Sequence, residues 1–302
     1  MTFARVAVVG AGLIGGSVVR RLRALGRDVV LVDPAVPGAA PAVPSSAGLV
    51  VVAVPLDAMA GVLREVASAA PDAVVVDVGS VKGPVAASAA TAGLAGRYVG
   101  AHPMAGTEHS GFEHSDPDLL VGATWAVTRG DGPVADVVAW LLEVFDATVA
   151  LLDPDQHDRA VALASHLPHV LANALLELVH DAPDGDAAAL LAAGSFRDAT
   201  RVGGGNAARS RNLLAGSPAL PGVLDELLAL LTAYRAELGD PASLGARLER
   251  VSAGAAGVRR PDVAWTPCPD VDAALAHPGP ALVRPAAEGL EWAAVRGAPG
   301  ER

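Results

Sequence analysis

Cysteine is almost missing from this chain of 302 residues: Cys268 stands alone. No intramolecular disulfide and no thiolate metal cage can form. Aromatic residues make up only 3%, so the core must be built from small side chains, and a hydrophobic content of 52% supplies enough of them. Basic charge is also short, with 22 Lys and Arg against 33 Asp and Glu, a net charge of -11. That balance argues against nucleic acid as a partner. No apolar run is long and uninterrupted enough to span a bilayer. The first strand begins within a few residues and no signal-peptide pattern precedes it, so the expected location is the reducing cytoplasm, with no membrane partner. An acidic protein that binds anions needs locally placed cations, so each arginine and histidine near a site carries weight.

What the chain does have begins at Val6, with Val-Ala-Val-Val-Gly-Ala-Gly-Leu-Ile-Gly-Gly-Ser. The apolar, largely β-branched opening suits a buried parallel strand. Gly10, Gly12 and Gly15 then follow the spacing GxGxxG. The first glycine permits the tight turn, the second lets a pyrophosphate approach the backbone, and the third lets the next helix pack close. That helix, over 13–25, turns its N-terminal N–H groups toward the phosphates. A second strand over 28–32 ends at Asp33, placed to hydrogen-bond an adenosine ribose. No arginine directly follows Asp33, and a carboxylate repels a 2′-phosphate, which favours NAD over NADP. The cofactor contacts expected are Gly10, Ala11, Gly12, Leu13, Ile14, Gly15, Asp33, Val54, Pro55 and Ser80.

Strand and helix alternate as far as residue 152. Strands are expected over 49–54, 73–78, 97–101, 123–128 and 147–152, with helices over 57–69, 80–92 and 134–145, Asp57 and Ser80 serving as caps. The fold class is α/β, a Rossmann-type doubly wound parallel sheet of right-handed βαβ units, followed by an all-helical C-terminal domain. Between Asp33 and Leu49 four prolines make a crossover helix improbable, which leaves the adenine side of the cofactor site less covered. From Asp153 the pattern is helical, with a long apolar helix over 156–180 and further helices over 190–193, 197–202, 224–238 and 244–251. The domain reading is a dinucleotide-binding domain over 1–152, a helical substrate-binding and dimerisation domain over 153–254, and an irregular tail over 255–302.

Ligands of open α/β sheets bind outside the carboxyl ends of the strands. Those ends supply Val54-Pro55, the hydroxyl of Ser80 with Lys82 nearby, and the imidazole of His102. Removing hydride from a carbinol needs a proton acceptor on its oxygen, a task that suits histidine. Taken singly, His102 is equally a hydrogen-bonded structural histidine, Ser80 a helix cap and Lys82 a solvated lysine. His166 and His169 share a helix face with Asn173. This polar stripe either bonds within the core or faces the cleft between domains. A metal pair there lacks a third ligand, and no metal is expected. Arg197 and Arg201 lie four apart. They form either a carboxylate grip or local pairs with Asp198.

These pieces together resemble the prephenate/arogenate dehydrogenase family of tyrosine biosynthesis. The carrying strings are Val8 to Ser17, Ala53-Val54-Pro55-Leu56, Asp77-Val78-Gly79-Ser80-Val81-Lys82, His102-Pro103-Met104-Ala105-Gly106-Thr107-Glu108-His109-Ser110-Gly111, His157-Asp158-Arg159, Ser165-His166-Leu167-Pro168-His169 and Phe196-Arg197-Asp198-Ala199-Thr200-Arg201. The resemblance covers about residues 5–205. It implies an NAD(P)-dependent oxidative decarboxylation of a dianionic cyclohexadiene. His102 would accept the proton of the C4 hydroxyl, with Ser80 hydrogen-bonded nearby. Arg201 would bind a substrate carboxylate beside Arg197, His166 and His169, and Glu108 would organise the loop. A homodimer through the helical domain is also implied.

Three departures stand out: the shortened second crossover, the glycine-rich stretch after Arg201, and a tail that does not read as an ACT-type regulatory domain. Alternatives within the class are arogenate and 4-amino-4-deoxyprephenate as substrates. Outside it stand a 3-hydroxyacid-type dehydrogenase, whose usual lysine is missing from residues 156–202, and a non-catalytic dinucleotide-binding regulator.

Overall fold

The computed structural model describes residues 3–106, 111–205, 207–259 and 263–295. Five parallel strands form the first part of the sheet: β1 (Arg5–Val9), β2 (Asp28–Val32), β3 (Leu49–Val52), β4 (Val74–Asp77) and β5 (Tyr98–Pro103). All four residues of β3 are buried, as its unbroken apolar run requires when both faces are covered. Helix α1 (Leu13–Ala24) covers one face, and α2 (Leu56–Ala69) and α3 (Gly83–Thr91) cover the other. β1 lies between β2 and β3 in the sheet. The strand order therefore reverses at the glycine-rich turn, where a crevice opens.

The remaining strands depart from the expected all-parallel sheet. β6 (Thr124–Thr128) pairs antiparallel with β5, and β7 (Thr148–Leu152) runs parallel to β6, with α4 (Val134–Phe145) between them. The joint between β5 and β6 is thus not a right-handed parallel crossover. Residues 34–48 form no helix, in keeping with their prolines; Ala40 bridges to Val32 of β2, and Ser46 and Gly48 bond to Arg5 of β1.

Helices then follow: α5 (Pro154–Val161), α6 (Leu167–Asp181), α7 (Gly185–Leu191), α8 (Gly194–Thr200), α9 (Ala207–Ala215), α10 (Leu220–Glu237) and α11 (Pro241–Arg259). The long helix expected over 156–180 is interrupted by a π turn over Ala162–His166. Pro168 supplies the cause. Inside a helix it has no N–H for the carbonyl four residues back, and its ring crowds that carbonyl, so the turn before it widens. By length and composition Pro154–Asp181 is apolar enough to cross a membrane. Buried His157 and Asp158 lie along it, however, and tie it to His102 of β5 and to the first amides of α3, while His166 bonds to Ser217.

Within the segment expected as an irregular tail, residues 263–295 carry regular elements. β8 (Thr266–Cys268), α12 (Val271–Leu275), β9 (Ala281–Ala286) and β10 (Gly289–Ala294) form a small unit, and β9 pairs antiparallel with β7. The whole is a sheet of ten strands in the order β2-β1-β3-β4-β5-β6-β7-β9-β10-β8. The alternation of buried Ala281 and Val283 with half-buried Leu282 and Arg284 is a strand signal hidden in a Pro/Gly/Ala-rich composition.

Candidate active site

The glycine turn is built as the spacing requires. Gly10 has φ +98, and a side chain there would meet the carbonyl oxygen of Ala53 at 2.5 Å. A Cβ on Gly15 would lie 2.0 Å from the carbonyl oxygen of Gly10, so only glycine lets α1 pack here. Gly12 faces open space and caps α1 without a side chain, which leaves its first-turn amides to an external anion. Ala11 is buried, Leu13 and Ile14 are half-buried, and Leu13 offers its carbonyl to Ser17. At the end of β2, Asp33 accepts from the amides of Ala11 at 2.6 Å and Ala35 at 2.8 Å. Its carboxylate therefore stands beside the turn, where a ribose belongs. Val54 abuts Gly10, and Pro55 starts α2. These residues fit a dinucleotide.

His102, delivered by β5, is half-buried. Its Nδ1 lies 3.0 Å from Nε2 of His157 on α5, and the two rings meet edge-on at 69°. His157 Nδ1 lies 2.8 Å from Asp158 Oδ1. Asp158 in turn accepts from the amides of Lys82 at 2.7 Å and Gly83 at 2.9 Å, at the N-terminus of α3. No hydrogen bond joins Ser80 to His102 among the described residues. Ser80 sits half-buried in the turn after β4, and the N-cap of α3 is Lys82, so Ser80 is not the cap. Likewise Asp57 lies within the first turn of α2 and does not cap it.

Lys82 is the chain's only lysine, and it is completely buried. Its ammonium donates to Asp77 and, at 2.9 Å, to the carbonyl of Ala101, the peptide that carries His102. Asp77 also accepts from the Tyr98 hydroxyl at 2.5 Å. Burial lowers the Lys82 pKa and Asp77 opposes it; burial and Asp77 both raise that of Tyr98. The solvated lysine allowed by the sequence is thus a buried tie beneath the strand ends. His102 is held well below the ordinary imidazole range, first by burial, then by Lys82, His157 and His166. It is neutral at pH 7 and free to accept a proton.

The helical half supplies the other wall. The π turn ends at His166, fully buried, with Nδ1 2.6 Å from Ser217 Oγ. Its Nε2 and His169 Nδ1 are buried without a partner among the described residues, and burial lowers the His166 pKa. These two orphaned nitrogens leave acceptor or donor sites for a ligand. Asn173 does not join them. It donates to the carbonyl of His169 at 2.8 Å and accepts from Gly204 at 3.1 Å, pinning the glycine-rich turn against α6. Arg197 and Arg201 are exposed on and just after α8, which packs on α6, and neither pairs with Asp198 or another described acid. Glu108 lies outside the described residues. Sequence reasoning missed the roles of His157, Asp158, Asp77 and Ser217. The adjacent His-Asp pair in the first turns of an apolar helix was the available signal.

A dinucleotide crevice, a neutral histidine at the strand ends and an appended helical wall define the class: a dinucleotide-dependent oxidoreductase. Residues 19–167 match the family described as prephenate dehydrogenase, nucleotide-binding domain, and residues 153–239 match prephenate dehydrogenase, dimerization domain. The cyclohexadienyl dehydrogenase of Zymomonas mobilis is 31% identical over 79% of this chain and 91% of its own. Among solved structures, the arogenate dehydrogenase of Synechocystis superposes with a TM-score of 0.74 at 27% identity, covering 84% of this chain and 99% of that one. The prephenate dehydrogenase of Aquifex aeolicus, solved with hydroxyphenyl propionate and NAD+, shares the fold with a TM-score of 0.73 at 24% identity over 85% and 99%. The chain belongs to the prephenate dehydrogenase family.

Proposed function

We propose that this protein carries out the NAD-dependent oxidative decarboxylation of prephenate to 4-hydroxyphenylpyruvate. The observation that carries the reading is His102: a neutral, half-buried imidazole beside the dinucleotide crevice. The substrate's C4 hydroxyl gives its proton to His102, and Ser80, at the end of the adjoining strand, orients that hydroxyl. A bound nicotinamide supplies the hydride acceptor for C4. The bond from C1 to its carboxylate then breaks, carbon dioxide leaves, the bonding pair enters the ring, which becomes aromatic, and the C4 oxygen takes back the proton from His102. Arg201 grips a carboxylate of the dianion as a bidentate fork. Arg197 and the orphaned nitrogens of His166 and His169 complete the polar wall.

Asp33, with Pro34 and no cation directly after it, supports NAD over NADP. The domain over 153–239 supports a homodimer, and a lone cysteine fits the cytoplasm. The test is NADH formation with prephenate, arogenate and 4-amino-4-deoxyprephenate side by side, each with NAD and with NADP. Fast turnover of prephenate with NAD is expected. Turnover of arogenate or the amino compound alone would move the assignment to that substrate, and no turnover with intact NAD binding would leave a regulator.

A further inference from the structure

We infer that His157 is a positioning residue that fixes the tautomer of His102, so that the lone pair offered to substrate is on Nε2. This rests on the reading of His102 as the base. The argument runs inward from Asp158. Burial alone would raise its carboxyl, but the hydrogen bonds from His157 and from the amides of Lys82 and Gly83 outweigh it and hold the group below its ordinary range. Asp158 is therefore a carboxylate, which only accepts.

Two of its contacts are backbone amides, which only donate. The third, His157 Nδ1 at 2.8 Å, must therefore carry a proton. His157 is fully buried. With one N–H on the ring, and that one committed to Asp158, its Nε2 is an acceptor. The nitrogen facing it at 3.0 Å is His102 Nδ1, which must then be the donor. A neutral His102 with hydrogen on Nδ1 keeps Nε2 unprotonated.

The chain of contacts also spans the two halves of the molecule. Asp158 and His157 belong to α5, and the amides that anchor Asp158 open α3. When His102 takes the hydroxyl proton, its imidazolium still donates through Nδ1 to His157, whose far side rests on a carboxylate. The developing charge is thus stabilised without a proton reaching Asp158.

The test uses the full chain labelled with 15N in its histidines. Long-range proton–nitrogen spectra report which ring nitrogen of His102 is protonated, without any turnover. Nδ1–H is expected, and Nε2–H would overturn the inference. His157→Asn keeps a donor for Asp158 but cannot reach His102. It is expected to lower kcat about 10²-fold, less than the roughly 10⁴-fold seen when a histidine base is left in the wrong tautomer, with KM nearly unchanged. His157→Gln restores an acceptor for His102 and should recover most of that loss. An unaltered kcat in His157→Asn overturns the relay even if His102→Asn is inactive, in which case the base stands. A fully active His102→Asn sinks the base instead, and the spectra still decide the tautomer.

Discussion

The two halves of this molecule complete their cores differently. In the sheet half the core aromatics are enclosed: Trp125 is 1% exposed and Phe145 0%. In the helical half Leu178 is 67% exposed, Leu190 86%, Leu191 80% and Leu238 70%. Apolar surface on that scale marks a contact face, in keeping with the match of residues 153–239 to a dimerization domain. The chemistry divides along the same line. In the proposed mechanism the base, His102, stands on the sheet, and the cations for the substrate, Arg197 and Arg201, stand on and just after a helix.

The largest expected effect tests the first half of that division. His102→Asn should lower kcat about 10²–10⁴-fold, the usual contribution of a general base, with little change in KM. In the unaltered enzyme, the acid limb of kcat/KM should lie below the ordinary histidine pKa of 6.5, because His102 is held under that value and must be unprotonated to act. A limb above it would break the assignment. Arg201→Ala should act on the other half. The loss of a charge-assisted bidentate contact is expected to raise KM about 10–100-fold while sparing kcat, and the reverse split would erase the division. Subtler in activity is Leu190→Asp with Leu191→Asp. Charges on the uncovered face should weaken self-association by roughly 10²-fold in sedimentation and leave dinucleotide binding intact. A monomeric parent protein would remove the contrast altogether.

The sheet half was the more legible in sequence, because its signals are local. The glycine spacing, the β-branched runs and Asp33 each imply their own surroundings. The reversal at β6 was not legible, since nothing in residues 124–128 encodes the direction of a neighbour. Within the site, His102 was visible, but its partner was not. His157 comes from 55 residues away, and only packing brings the two rings together. Lys82 misled for a related reason. A lysine after a strand end is usually solvated, and here Asp77 and a carbonyl compensate for its burial. The β-unit after residue 263 was masked by composition, its strands being short and broken by proline and glycine.

That unit has a consequence for how the protein behaves in a crowded solution. Without β9, strand β7 would present a bare row of amides and carbonyls, ready to template another chain. With the unit in place, the outermost strand is β8, only three residues long, with Pro267 at its centre offering no N–H. The opposite border, β2, is blunted by the bridge to Ala40 in a proline-rich loop. The C-terminal segment thus acts as a guard against fibrous association, and shortening the chain to its catalytic parts would trade a compact gene for a sticky border.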